Sequence, residues 1–163
     1  MIQQLDTDRV QVHVRATPDD VYALVSDVTR TPELSPEILE CTWLDGATGA
    51  AVGARFKARN KVPNRPAWHN KPVVTVAEPG RRFSFARTEP FGGTVEWAYD
   101  LEPDGDGTLV TESYEVTKQL HPVGWFIIGV LFARKDRRTD LRAGMEQTLE
   151  RLRAIVEAPS AVG

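Results

Sequence analysis

The sequence predicts an α+β domain in which a curved antiparallel sheet of about seven strands grips a long C-terminal helix. Three observations predict this class. A strand pattern and a helix start follow each other near the N-terminus, short strand patterns alternate with turns through the middle of the chain, and apolar residues near its end have helical spacing. Strands joined by short turns pair antiparallel. Because a sheet with one apolar face needs a cover, the C-terminal helix should supply it.

The N-terminal elements follow from alternation and capping. Apolar and polar residues alternate at positions 10–15, which predicts a half-buried strand. Thr17 can cap a helix, and Pro18 suits its first position. The apolar residues of that helix recur at helical spacing, namely Val21, Leu24, Val25 and Val28. A second short helix should begin at Thr31 and stop before Pro36.

Turn residues divide the middle of the chain into strands. Breaks such as Asp45-Gly46 and Pro79-Gly80 separate predicted strands at residues 39–44, 54–61, 68–76, 82–87, 94–101 and 109–118. The last helical segment opens at Pro122 and carries apolar residues three or four positions apart, namely Leu141, Met145, Leu149, Leu152 and Val156. A chain of 163 residues suits one domain, which we place at residues 1–157, followed by a flexible tail at residues 158–163.

Composition and charge argue against several classes of function. The formal net charge of −3 disfavours a nucleic-acid partner, because phosphate binding needs a basic excess. Cys41 is the only cysteine and should pack as a small hydrophobe. The histidines are scattered and no glycine loop has nucleotide-binding spacing, so we expect neither metal nor cofactor. The longest apolar run, residues 123–133, is too short to span a bilayer, and the start lacks a secretion signal, so we expect a cytoplasmic protein.

Alternation along each predicted strand assigns its side chains to two faces. The apolar set of residues 94–101 must point inward, and it comprises Val95, Trp97, Tyr99 and Leu101. In residues 54–61, the basic side chains share the opposite, solvated phase. The same reasoning groups Leu39 with Cys41, and Val76 with Val74, on inward faces.

Three polar residues share the inward phase with apolar neighbours, and they are Asn60, Asn70 and Glu112. In a close-packed core each would need a partner, and a lone buried carboxylate would be very costly. A cavity that holds water or a ligand removes this conflict, so the pattern indicates a pocket. The alternatives are hydrogen bonds within an ordinary core, or a bulge that turns Glu112 outward.

Short segments over nearly the whole chain carry a resemblance to a known family, among them Ala16-Thr17-Pro18-Asp19-Asp20-Val21-Tyr22, Gly53-Ala54-Arg55-Phe56, Glu78-Pro79-Gly80-Arg81-Arg82-Phe83, Trp97-Ala98-Tyr99 and Gly107-Thr108-Leu109-Val110-Thr111-Glu112-Ser113. Their order resembles the START-like superfamily, also called SRPBCC, and within it the polyketide cyclase/dehydrase-like branch of actinobacteria. The resemblance implies the helix-grip fold of plant pollen allergens. Members of the superfamily include lipid carriers, polyketide aromatase/cyclases and hormone receptors, so the resemblance implies no single activity.

The predicted ligand site combines aromatic walls with a few polar groups. The predicted walls are Phe56, Trp68, Phe85, Trp97, Tyr99 and Tyr114, and the predicted polar groups are Asn60, Asn70 and Glu112. Arg134 and Arg138 continue the apolar face of the last helix backward, so either could meet Glu112 or the polar head of a ligand. The charged run around these two arginines is also typical of a solvated helix face.

We expect the chain to bind a small hydrophobic molecule (a lipid, polyketide or isoprenoid) in this pocket without catalysis. One alternative is an enzyme of aromatase/cyclase type, in which Glu112 or Tyr114 moves protons. Another is a protein-interaction module that docks through the apolar residues 123–133, which could also form a homodimer or close the pocket. Stable membrane insertion is not expected, because that run has no polar basic face.

Overall fold

A computed structural model describes residues 7–64, 66–88, 93–118 and 137–158, and it confirms the predicted α+β class. The elements in chain order are β1 (Thr7–Val14), α1 (Pro18–Val25), α2 (Thr31–Leu34), β2 (Ile38–Trp43), β3 (Phe56–Asn60), β4 (Trp68–Asn70), β5 (Val73–Glu78), β6 (Arg82–Thr88), β7 (Thr94–Asp104), β8 (Gly107–Lys118) and α3 (Arg137–Val156). A single 3₁₀ turn, Val28–Arg30, connects α1 to α2. The predicted order of strand, two short helices, strands and long helix is therefore confirmed.

The sheet is antiparallel throughout, and its two parts are continuous. Five strands run in the order β1-β8-β7-β6-β5, and three run in the order β2-β3-β4. The two parts join at the start of β3, where Arg55 pairs with Val73 in an isolated bridge. Next to this bridge, the Phe56 amide donates to the Pro72 carbonyl at 3.1 Å. Backbone hydrogen bonds therefore link the two parts at this junction.

Residues 68–76, predicted as one strand, form two strands that are separated at Lys71 and Pro72. Proline has no amide hydrogen to donate to a ladder, so it favours a break or an edge position in a sheet. β4 pairs with the far half of β3, whereas β5 pairs with β6. This break explains why the sheet has eight strands where the sequence predicted about seven.

The entry to α1 follows the predicted capping. The Thr17 Oγ1 accepts a hydrogen bond from the Asp20 amide at 3.1 Å. The chain just before it is fixed to the sheet, since the Thr108 hydroxyl on β8 donates to the Ala16 carbonyl at 2.7 Å. The four predicted apolar residues of this region are all buried, namely Val21, Leu24, Val25 and Val28. Each fully buried aliphatic side chain stabilises the fold by about 1.5–3 kcal/mol.

Two bulges overturn single positions of the strand-phase prediction. The pairing register shifts between Ile38 and Glu40, so Leu39 is exposed at 47% and does not join Cys41 on the inner face. A second shift between Val74 and Val76 places Val76 opposite Ser84, and Ala77 takes the inward position opposite Phe83. An inserted residue reverses the facing of the residues beyond it, which alternation alone cannot reveal.

Helix α3 covers the inner face of the sheet with its predicted apolar stripe. Leu141, Met145, Leu149 and Leu152 are all buried in the same core as the inward residues of the sheet. At its N-terminal half, the Arg142 Nη1 forms an ion pair with Asp8 Oδ1 of β1 at 2.8 Å. No helix within the described part of the chain is long and apolar enough to cross a membrane. The apolar run at residues 123–133, with Pro122 and Arg134, lies outside the described residues.

Candidate functional site

A cavity of about 80 Å³ lies between α3, the segment from α2 to β2, and the inner face of the sheet. Its apolar lining comprises Pro36, Ile38, Cys41, Phe56, Ala58, Pro72, Phe85, Trp97, Leu141, Gly144 and Met145. Its polar lining comprises Thr31, Ser35, Glu37, Arg87, Tyr99, Glu112, Asp140 and Thr148. A mostly apolar wall with a few polar groups is the usual composition of a small-molecule site.

The aromatic wall comes from neighbouring strands in register. Phe85 on β6 pairs with Trp97 on β7, so both side chains leave the same face of the sheet. The ring of Phe56 on β3 meets Phe85 edge-to-face, with centroids 5.3 Å apart and planes at 78°. The ring of Trp43 also packs edge-to-face on Phe56, with centroids 5.8 Å apart. Edge-to-face pairs of this kind hold each ring in place, which gives the cavity a defined wall.

Glu112 is the buried carboxyl of this wall. It lies on β8 opposite Tyr99 of β7, and only 5% of its surface is exposed. Burial raises the pKa of the Glu112 carboxyl to about 8, and hydrogen bonding with Tyr99 offsets this in part. Burial, together with the neighbouring Glu112, raises the pKa of the Tyr99 hydroxyl well above its ordinary value. At neutral pH Glu112 is therefore mainly an uncharged acid, which can both donate and accept a hydrogen bond.

The Oε1 atom of Glu112 is buried and has no hydrogen-bond partner within the described part of the chain. Nearly all buried polar groups in folded proteins are hydrogen-bonded, so an unmatched oxygen in a cavity wall indicates a partner that is not part of the fold. This supports the prediction that the inward phase of Glu112 marks a pocket, and the predicted alternative of an outward bulge does not occur.

Asn60 and Asn70 are buried as predicted, but neither lines the cavity. The Asn60 amide Nδ2 has two long contacts of 3.4 Å, to the carbonyls of Ala58 and Trp68. The Oδ1 of Asn60 and both polar atoms of Asn70 have no hydrogen-bond partner among the described residues.

Of the predicted ligand-binding residues, five come together at the cavity, namely Phe56, Phe85, Trp97, Tyr99 and Glu112. Four others are absent from its lining, namely Asn60, Trp68, Asn70 and Tyr114. Tyr114 is buried behind the wall, with its ring 5.2 Å from that of Trp97. Arg134 and the side chain of Arg138 lie outside what the structure describes, so their predicted role stays a prediction.

The sequence interpretation missed Arg87, which lines the cavity from β6. It lies two residues beyond Phe85 and pairs with Val95, so it belongs to the inward face of the strand. The alternation argument that found Glu112 would also have found Arg87, had the arginine not stood at the predicted end of its strand. The lining therefore contains a cationic group on the sheet, whereas the sequence prediction placed its candidate arginines, Arg134 and Arg138, on the last helix.

Cys41 lines the cavity as a buried thiol. Burial raises its pKa to about 11, although Thr31 and the charge of Arg87 act in the opposite direction. A thiol with a raised pKa is a poor nucleophile at neutral pH. Cys41 therefore contributes apolar surface to the wall, as the sequence predicted. Within the described ranges, no three side chains of His, Cys, Asp or Glu group together as a metal site would require.

Comparison with known proteins places the chain in a family. The sequence profile of the family described as polyketide cyclase/dehydrase and lipid transport matches residues 8–157. A polyketide cyclase-like protein from Corynebacterium glutamicum is 36% identical, with a TM-score of 0.61 over 96% of this chain and 94% of that chain. No curated protein matches the chain significantly.

Two further solved structures share the fold at lower identity. StfQ, a di-domain ARO/CYC protein of the steffimycin biosynthetic pathway, has a TM-score of 0.74 at 18% identity, over 93% of this chain and 50% of that chain. Major latex-like protein 151 from Panax ginseng has a TM-score of 0.69 at 16% identity, over 93% of this chain and 97% of that chain. Since the family profile spans most of the sequence and the fold agrees, the chain belongs to the polyketide cyclase/dehydrase and lipid transport family of the SRPBCC superfamily.

Proposed function

We propose that this chain binds a small hydrophobic molecule in the cavity between the sheet and α3. The main support is Glu112, whose carboxyl is buried in an aromatic wall while its Oε1 has no partner in the described part of the chain. An unmatched polar atom costs free energy in a packed core. A bound molecule that donates or accepts a hydrogen bond at this oxygen would remove that cost.

Gly144 gives independent support, because it leaves space in the cavity wall. It lies inside α3, and a Cβ added to it would meet no atom within 4 Å. Glycine inside a helix costs about 0.5–1 kcal/mol relative to alanine. The helix is therefore less stable than it could be, at a position where a side chain would fill the cavity.

The size of the cavity favours a compact ligand. Its volume of about 80 Å³ is small beside the roughly 300–1,000 Å³ typical of pockets for drug-sized molecules. A flat aromatic molecule of one ring suits such a space and its aromatic wall. A two-ring molecule requires a small movement of the walls, and an extended lipid chain requires a much larger one. Met145 in the lining is flexible enough to adjust to the ligand's shape.

Native mass spectrometry of freshly purified protein tests the proposal. We expect a bound small molecule on the wild-type chain and its loss in Gly144→Leu, whose side chain would occupy the cavity. Ala143→Leu is the matched control, because it adds a leucine at the neighbouring helix position that faces solvent. Equal retention of the bound molecule in both variants would place the ligand elsewhere.

A second candidate function is proton transfer to or from a bound substrate, as in a cyclase. It is favoured by the pKa of about 8 for Glu112, since acid–base catalysts are most effective when their pKa lies near the working pH. Glu112→Gln keeps the shape and hydrogen-bonding capacity of the side chain but cannot exchange this proton. With any ligand found to be converted, we expect the variant to retain binding and lose at least 100-fold in turnover, as general acid–base contributions are of about that size. An unchanged turnover would show that Glu112 does not transfer a proton, and binding would then be the only proposed function that remains.

Two further predictions stay predictions. The interaction module or homodimer expected at residues 123–133 lies outside the described residues, and a cytoplasmic location is an expectation from the sequence.

A further inference from the structure

Two buried asparagines form a polar pair beside the cavity. Asn60 and Asn70 are only 1% and 7% exposed, and both belong to the inner face of the small β2-β3-β4 part of the sheet. Three of their four side-chain polar atoms have no hydrogen-bond partner among the described residues. The fourth, Nδ2 of Asn60, has only the two 3.4 Å contacts, which lie beyond the usual range of an N–H···O bond.

Strand register places each asparagine directly beside a cavity-lining residue. Asn70 on β4 pairs with Ala58 on β3, which in turn pairs with Cys41 on β2. Ala58 and Cys41 both line the cavity. Since side chains directly opposite on paired strands lie about 4.5–5.5 Å apart at Cβ, Asn70 is one step beyond the cavity wall.

Asn60 also lies directly opposite a residue that lines the cavity. It pairs with Ile38, a lining residue, and with Trp68 on β4. Because Ala58 pairs with Asn70 and Asn60 pairs with Trp68, the two asparagines are diagonal neighbours on one face. The two asparagines are therefore adjacent on this face, next to the cavity-lining residues Ile38 and Ala58.

The two asparagines lower the stability of the fold if their role is only structural, because their polar atoms are buried without partners among the described residues. Two apolar side chains of similar shape would fill the same space without unmatched donors or acceptors, and such replacements are often neutral or stabilising. Ala58, whose side chain is a single methyl group, stands between Asn70 and Cys41 across the paired strands, so only a small group lies between this asparagine and the cavity wall. The pair offers both donors and acceptors, which suits an oxygen of a hydroxyl or carbonyl group.

We propose that Asn60 and Asn70 form a polar subsite of the cavity that hydrogen-bonds an oxygen of the ligand, so that the ligand is an aromatic molecule with a hydroxyl or carbonyl group at each end. One oxygen meets Glu112 and the other meets the asparagine pair. This inference rests on the proposed function, because it assumes that the cavity takes up a small molecule. It adds the class of ligand, namely an oxygenated aromatic compound and not a hydrocarbon or a simple acyl chain.

Isothermal titration with three probes of one shape tests the subsite, namely naphthalene, 2-naphthol and 2,6-dihydroxynaphthalene. In the wild-type protein we expect the second hydroxyl to tighten binding on the order of tenfold, the usual contribution of one additional hydrogen bond. In Asn70→Leu and in Asn60→Leu, we expect the diol and 2-naphthol to bind about equally. Asn70→Ala serves if the leucine variants fold poorly.

Thr108→Val is the control, because it removes a buried hydroxyl whose hydrogen bond to Ala16 is already formed. It should lower stability but keep the preference for the diol. If the diol gains the same factor in the wild type and in the asparagine variants, the amides are satisfied in another way, for instance by buried water, and the subsite is wrong. If none of the probes binds the wild type, the oxygenated aromatic class of ligand is wrong and the subsite with it, whereas the proposed function is decided separately by native mass spectrometry of the wild type and Gly144→Leu.

Discussion

At the residue scale, the ionisation of Glu112 links the cavity to the stability of the fold. Its pKa rises from an ordinary value of 4.5 to about 8 because the carboxyl is buried. Between these two values the folded chain holds a proton that the unfolded chain has released. The contribution of protonated Glu112 to stability is therefore complete below pH 4.5, declines as the pH rises, and is lost as the pH passes 8.

The prediction is that Glu112→Gln stabilises the chain relative to wild type, and increasingly so at higher pH. Between pH 4.5 and pH 8, the free energy of unfolding of Glu112→Gln should exceed that of the wild type by about 1.4 kcal/mol more for each pH unit, because unfolding of the wild type releases one proton. Urea denaturation of both proteins at several pH values measures it, and groups that titrate equally in both cancel. A difference that stays constant with pH would show that Glu112 is not buried in its neutral form.

The same scale shows how much of the site the sequence predicts. Strand alternation correctly predicted that Glu112, Asn60 and Asn70 are buried, because a half-buried strand repeats its facing every two residues. Alternation is local, however, and does not report which inward residues meet around one cavity. Tyr114 and Glu112 share a strand phase, yet only Glu112 lines the cavity, since Tyr114 packs behind Trp97.

At the element scale, pairing between distant strands is what the sequence leaves open. Turn residues predicted the hairpins from β5 to β8, but no local pattern indicated that β1 would pair with β8. Gly107 at the start of β8 shows the physical condition for this pairing. A Cβ there would lie 1.9 Å from the Val14 carbonyl oxygen at the end of β1. Only glycine lets the two backbones come this close. Because glycine occurs in turns for many other reasons, Gly107 alone does not predict from the sequence that β1 pairs with β8.

Helix α3 shows the reverse case. Its apolar stripe was predictable, because Leu141, Met145, Leu149 and Leu152 recur at helical spacing. The role of Gly144, which interrupts this stripe, was not predictable. A glycine inside a helix lowers helix propensity, but it does not reveal what lies opposite. The structure shows open space beside Gly144, and this assigns the gap to the cavity.

At the scale of the whole molecule, charge selects among ligands. The chain has a formal net charge of −3. At neutral pH the described cavity lining carries the same bias, because two carboxylates, Glu37 and Asp140, stand against the single guanidinium of Arg87 and Glu112 is mainly uncharged. Transfer of an anion into such a space adds repulsion between like charges to the loss of its hydration. A neutral ligand avoids both costs.

We therefore predict that 2-naphthol binds at least tenfold more tightly than naphthalene-2-carboxylate at neutral pH. The two probes have the same ring system and differ in the polar group, which is neutral in one and anionic in the other. Arg87→Gln provides the test of the only described cation in the lining, and it should leave the affinity for 2-naphthol within about twofold, because a neutral ligand gains little from that charge. If the carboxylate bound as tightly as the naphthol, and lost its affinity in Arg87→Gln, the cavity would be a site for acids that Arg87 recognises, and the neutral class of ligand would be wrong.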